Sequence, residues 1–347
     1  HERGKIEDLR GLALRKCPSR YARRIDLVFL SIGGNDIGFA RLVANAVLRD
    51  RTVLRRLGGW FGQVYDPDDV ASIAYYANGT LGYTRIDGDN ATSETVDDQG
   101  DVGRHASLVA SSDGSIHVAY YDATNGNLKY ALRFPGGGWS RAIVDSGFVD
   151  AQTPNRDVGR YCSIALDGGG QPSIAYYDST NGTLWAASRV GDTWSREVVD
   201  NTNGVDVGRW TSIAIDQLDR KRIAYYNATA NRPWYAVEGE DSWSLEQMGL
   251  RQGGHYLSMK IDALGNPHVA FQLPNTTSLW YTTKSDGEWA DALVDLGGDV
   301  GRHASLALDA QDTPLISFED EAIGLRLATR ADVGWSIITI DDTQGSG

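Results

Sequence analysis

A chain of 347 residues with 40 glycines, 16 tyrosines, 10 tryptophans and 41% hydrophobic content suits one large all-β domain plus an appendage, and is too apolar to be wholly disordered. The longest predominantly apolar run, Leu27–Ile32, falls far short of the roughly 20 residues of a membrane helix, so no membrane span is expected; Cys17 and Cys162, the only cysteines, match no zinc-ligand spacing. The net charge of −13 is uneven, with 13 Lys and Arg against 6 Asp and Glu in residues 1–60 and 20 against 40 in residues 61–347, so the acidic body repels phosphate backbones and no nucleic acid partner is expected.

Residues 1–69 stand apart from everything that follows. Ile25–Ser31 reads as a buried strand, Gly33–Asp36 as a turn, and Phe39–Leu57 as a helix with Leu42, Ala46, Val47, Leu54 and Leu57 on one face. The chain begins at His1 with no signal-peptide pattern, which predicts a fragment or a processed product. The block Leu30-Ser-Ile-Gly-Gly-Asn-Asp-Ile-Gly38 resembles the third conserved block of SGNH hydrolases, flavodoxin-like esterases and lipases. The resemblance implies that Asn35 takes the position whose amide completes that family's oxyanion hole, with Gly33 on the same loop. The family's Gly-Asp-Ser nucleophile block and Asp-x-x-His base block are absent. Asn35 and Gly33 therefore read as an oxyanion-hole-like remnant, no catalytic residue is assigned, and the chain is not expected to be an active esterase.

From residue 70 onward the chain repeats. Ala-Tyr-Tyr stands at 74–76, 119–121, 175–177 and 224–226, with weaker copies at Ala270-Phe-Gln272 and Ser317-Phe-Glu319, at intervals of 45, 56, 49, 46 and 47 residues. Val, Ile, Tyr and Trp alternate between Asn-Gly punctuation marks without helical periodicity, so each unit is a small antiparallel sheet. One unit reads as four strands: His105–Ala110 innermost, then Ser115–Tyr121, Leu128–Arg133 and Trp139–Val144. Asn-Gly within Asp122–Asn127 and Asp178–Thr183 suits tight hairpins that need positive φ at both central residues. A tryptophan opens the fourth strand of five units, at 139, 194, 243, 289 and 335, where it can fill the widening gap at the rim. The first unit lacks that tryptophan, and its innermost strand falls at Gly62–Asp66. The fold class is all-β: a six-bladed β-propeller over 70–341, preceded by a short α/β segment at 1–69 and followed by a tail at 342–347.

Four units carry Asp-Val-Gly-Arg before the innermost strand, at 101–104, 157–160, 206–209 and 299–302, and the fifth degenerates to Gly253-Gly-His-Tyr256. As scaffold, Asp caps a turn, Gly takes a strained angle and Arg pairs with a neighbouring blade's Asp. As a binding surface, Arg104, Arg160, Arg209 and Arg302 with His105, Tyr161, Trp210, Tyr256 and His303 ring one mouth of the channel, where guanidinium forks and aromatic faces suit sugars. Asp and Gly have turn-specific roles, whereas the residue after Arg varies, which makes Trp210 the better binding candidate.

The blade count and the Tyr-Tyr hairpins resemble fucose-binding lectins with six-bladed propellers. That resemblance implies a non-catalytic, secreted or cell-envelope protein whose partner is a carbohydrate or glycoconjugate, bound at the channel mouth or between blades. The family's Arg/Glu/Trp sugar triad has no placed counterpart here. Three alternatives remain: an accessory domain of an SGNH-type esterase, a protein-interaction platform, and a polysaccharide lyase-like propeller with His, Tyr and Arg round the channel. The sialidase Asp-box, Ser-x-Asp-x-Gly-x-Thr-Trp, is absent. No cofactor or metal is expected, since Asp122–Asn127 lacks the distal Glu of a calcium loop.

Overall fold

The computed structural model describes residues 70–87, 90–309 and 311–341. The strand–turn–helix reading of 1–69 with Gly33 and Asn35, the strand at Gly62–Asp66 and the 342–347 tail lie outside the described residues. The described chain forms 23 strands in six antiparallel sheets, the blades of a six-bladed propeller. Blade one shows three strands, Val70–Ala77, Thr80–Asp87 and Asn90–Asp97, and the other five show four each, paired in chain order. In blade two these are Val102–Ala110, Ile116–Asp122, Asn127–Arg133 and Trp139–Asp145.

Apolar side chains on both faces of the second strand dictate the packing. All of Ile116–Asp122 is buried, because each sheet is covered by a blade on either side. Five apolar cores lie between consecutive blades, such as the one joining Leu81, Tyr83 and Val96 of blade one to Val102, Val118 and Tyr120 of blade two. The rim tryptophans meet tyrosines of the preceding blade edge-on: Trp139 on Tyr83 at 5.2 Å, Trp194 on Tyr130 at 5.1 Å, Trp289 on Tyr235 at 5.5 Å and Trp335 on Tyr281 at 5.3 Å. In blade three the tyrosine's place is taken by Ala186, and Trp243 of blade four lies under Lys221 instead.

Only one hairpin uses Asn-Gly in the expected way. Asn78 and Gly79 have φ of 51° and 85°, as a two-residue turn with both centres left-handed requires. At Asn125-Gly126 and Asn181-Gly182 only the glycine is left-handed. There the loop is longer because Asp122 and Asp178 use their carboxylates to accept backbone N–H groups two and three residues on, and the Asn side-chain amides besides.

Polar bonds stitch each seam from hub to rim. At the hub, serine hydroxyls accept backbone N–H groups of the next blade: Ile164 to Ser107 at 3.1 Å, Ile213 to Ser163 at 3.1 Å, Met259 to Ser212 at 2.9 Å and Leu306 to Ser258 at 2.9 Å. The Tyr-Tyr pairs of blades two and three reach both neighbours. Tyr120 donates back to Asp97 at 2.7 Å, and Tyr121 forward to Asp157 at 2.7 Å. Tyr176 donates back to Asp145 and Tyr177 forward to Asp206, both at 2.9 Å.

Candidate functional site

Val-Gly-Arg of the motif opens the innermost strand rather than forming a turn that leads into it, and the Asp stands just before it. In blade two that strand starts at Val102, three residues before His105. Its pairing jumps twice, from Val102 opposite Asp122 to Arg104 opposite Tyr121, then to Ser107 opposite Ala119. The same double bulge recurs in blades three, four and six. Some bulges place a residue in left-handed backbone, and here it falls on Gly103 at φ 99° and on His105 at φ 55°. The residue after Arg is left-handed in every blade that shows it: Tyr161, Trp210, Tyr256 and His303 lie at φ 48–52°.

The arginines pair within their own motif, not across the seam as expected. Arg104 meets Asp101 at 2.7 Å, Arg160 meets Asp157 at 2.7 Å, Arg302 meets Asp299 at 2.6 Å, and Arg209 pairs with Asp206. The reason is the double bulge, which brings residues three apart to one side of the strand. The cross-seam bonds to Asp157 and Asp206 come from Tyr121 and Tyr177 of the preceding blades, and the one to Asp299 from Gln272 of blade five, whose Nε2 donates at 3.0 Å. Three of the four guanidiniums also lie over a tyrosine ring of the preceding blade: Arg104 over Tyr76 and Arg160 over Tyr121 at 5.3 Å, Arg209 over Tyr177 at 5.7 Å.

The residues after Arg form a continuous aromatic collar. Ring centroids are 4.7 Å apart for His105 and Tyr161, 5.2 Å for Tyr161 and Trp210, 5.9 Å for Trp210 and Tyr256, and 4.7 Å for Tyr256 and His303. His105 and His303 are buried, and Tyr161, Trp210 and Tyr256 are partly exposed. Burial, with Arg160 and Arg104 beside it, pushes the His105 imidazole down to about 3. His117, bonded to Tyr130, and His255 are likewise pushed by burial to about 4. Among the described residues no three metal-ligating side chains gather. The collar arginines are thus already paired with carboxylates, and burial keeps the His105 and His255 imidazoles from taking up protons.

These histidines set a pH dependence. Below about 6.5 the unfolded chain takes up protons that the folded histidines refuse, so stability falls as pH drops from about 6.5 toward 4, by up to about 1.4 kcal/mol per pH unit for each. Melting temperatures at pH 7, 5.5 and 4.5 should fall in that order, and less steeply for His105→Gln. A melting temperature flat across that range contradicts the assignment.

The fifth blade holds residues that the repeat pattern alone does not single out. His255 takes the place of Arg and stacks on Trp210, with centroids 4.0 Å apart and planes at 26°. The Arg251 guanidinium lies 4.1 Å above Trp280. Lys260 stands on the innermost strand His255–Ile261, two residues after Ser258, where the other blades carry Val109, Ala165, Ala214 and Ala307. The available signal was the degeneracy of this unit, since departures from a repeat concentrate where a scaffold rule yields to something else.

No protein-family model matches the chain, and no curated protein matches it in sequence. Among solved structures, the fold is similar to an arginine-to-alanine triple mutant of AofleA from Arthrobotrys oligospora, with TM-score 0.52 and 12% identity over 78% of this chain and 86% of that one. It is similar to a protein of unknown function from Dyadobacter fermentans, with TM-score 0.52 and 13% identity over 77% and 92%. It is also similar to the SapL1 lectin in complex with alpha methyl fucoside, with TM-score 0.50 and 13% identity over 77% and 94%. At such identities the likeness is one of fold. No helix among the described residues is long and apolar enough to cross a membrane.

Proposed function

We propose that the propeller is a non-catalytic carbohydrate-binding module whose binding surface is the aromatic collar at the channel mouth. One observation carries this reading. Five collar positions hold left-handed backbone, which glycine would adopt without strain, yet they are His, Tyr, Trp, Tyr and His. Keeping a bulky side chain there costs on the order of 1 kcal/mol per residue, and such strain persists where the side chain is needed. Tilted aromatic faces offer apolar area to the C–H faces of a sugar, and the partly exposed Arg160 and Arg209 beside them offer N–H donors to its hydroxyls. The likeness in fold to a lectin solved with a fucoside supports the same reading.

The two halves of the motif should separate by mutation. Arg209→Ala breaks a half-exposed ion pair and a ring contact and removes one donor to the sugar, so it should lower stability by about 1 kcal/mol and weaken sugar binding by about fivefold or less. Trp210→Ala should weaken binding about tenfold or more in the folded protein, the scale of a lost aromatic platform. The check is a glycan array with the full chain, followed by titration of the best-bound glycan and thermal melting of both variants. Silence on the array, or Trp210→Ala melting early with unchanged affinity, overturns the reading and leaves the collar as scaffold.

A further inference from the structure

We propose that the channel contains an oxyanion site at Lys260, which recognises the acidic group of an oligosaccharide whose sugar ring rests on the collar. The proposal deepens the carbohydrate reading, and depends on it for the other end of the ligand.

Lys260 combines two properties rarely found together. Its side chain is exposed at the innermost strand of its blade, yet the protein gathered round it disfavours the charged form. Among the described residues it has no ion-pair or hydrogen-bond partner. The other three lysines of the described blades all have carboxylates: Lys129 pairs with Asp97, Lys221 with Glu197 and Glu238, and Lys284 with Glu246. Burial with no carboxylate to offset it pushes the Lys260 ammonium below its ordinary range. An enclosed cation without a counter-ion gains by meeting an anion.

The surroundings suit an oxyanion. At the level of Lys260 the other four described innermost strands supply only alanines and a valine, small side chains that bring no charge of their own. One level nearer the collar are the hydroxyls of Ser107, Ser163, Ser212 and Ser258. Each accepts a backbone N–H from the next blade, so its own O–H is a donor with no acceptor among the described residues. An ammonium backed by hydroxyl donors is a site for a carboxylate, or for a free oxyanion of the same chemistry. Tyr256 of the collar and Lys260 are four residues apart on one strand, about 13 Å. A ligand touching both is therefore an oligosaccharide carrying a carboxylate at one end.

The experiment compares the full chain with Lys260→Gln and Lys260→Arg. Collar tryptophan fluorescence is titrated with a trigalacturonate and with neutral galactotriose. The acidic sugar should bind at least tenfold tighter. Lys260→Gln should remove that advantage without changing neutral-sugar affinity, and Lys260→Arg should keep most of it. A second arm needs no sugar ring: trace acylation of Lys260, read by mass spectrometry against Lys284, should slow severalfold in inorganic phosphate. If neither sugar binds but phosphate protects Lys260, the carbohydrate reading fails and the oxyanion site stands. If phosphate gives no protection and Lys260→Gln alters both sugars equally or neither, the oxyanion site is overturned.

Discussion

Gly208→Val is expected to abolish the folded propeller at ordinary temperature, or to lower its stability by at least about 4 kcal/mol. Two costs add. Gly208 sits at φ 104°, a conformation closed to a β-branched side chain. A Cβ there would also stand 2.9 Å from the Cα of Leu184, a backbone atom of the preceding blade. The blade cannot yield without opening the seam, where Val207 N–H donates to Gly182 O at 3.0 Å. Gly204→Ala is the matched control. Gly204 is left-handed at φ 72° but has open space where its Cβ would go, so that variant should lose only about 1 kcal/mol. Urea titrations of both report the difference. Equal, small losses would show that the close approach at Gly208 is not needed.

Asp97→Ala should cost about 3–5 kcal/mol, because it removes the common acceptor of a buried cluster. Asp97 is 1% exposed and accepts from Tyr120 at 2.7 Å, Arg141 at 3.1 Å, the Gln99 N–H at 3.2 Å and Lys129. Burial alone would raise its pKa, but bonds from Lys129, Tyr120 and Gln99 outweigh that and hold it below the ordinary carboxylate range. Its contribution is thus fully present above about pH 4 and is lost as pH falls below that. Asp97→Asn keeps the shape and loses the charge, so it should fall between the parent and Asp97→Ala in denaturant titrations at neutral pH. An Asp97→Ala protein as stable as the parent would rule out the clamp.

The repeat made the architecture legible. Ala-Tyr-Tyr marked the second strands and the rim tryptophans marked the fourth, because burial on both faces and a widening gap each demand a residue type. The site was legible only in part. The list of ring residues came from position in the motif, and the collar contacts join five of them. The bulges were not readable, since His, Tyr and Trp carry no signature of left-handed backbone. The partners of the arginines were misjudged for the same reason, as a three-residue spacing brings Asp and Arg together only once the strand has bulged twice. Lys260 lay hidden in what looked like decay of the fifth unit.

The seam between blades four and five differs from its neighbours in a matched way. Where Tyr176 and Tyr225 reach back to Asp145 and Asp200, blade five offers Phe271, and blade four offers Met248 and Gly249 at the place of Val199 and Asp200. Hydroxyl and carboxylate have been lost together. The blades are therefore not interchangeable modules. Blade five grafted behind blade two would set Phe271 against Asp145 and take the tyrosine donor from its Oδ2, and blade three grafted behind blade four would leave the Tyr176 hydroxyl facing glycine. The linear order of the blades is written into their mating surfaces, so a shuffled ring made of the same six sheets would be penalised at its wrong junctions.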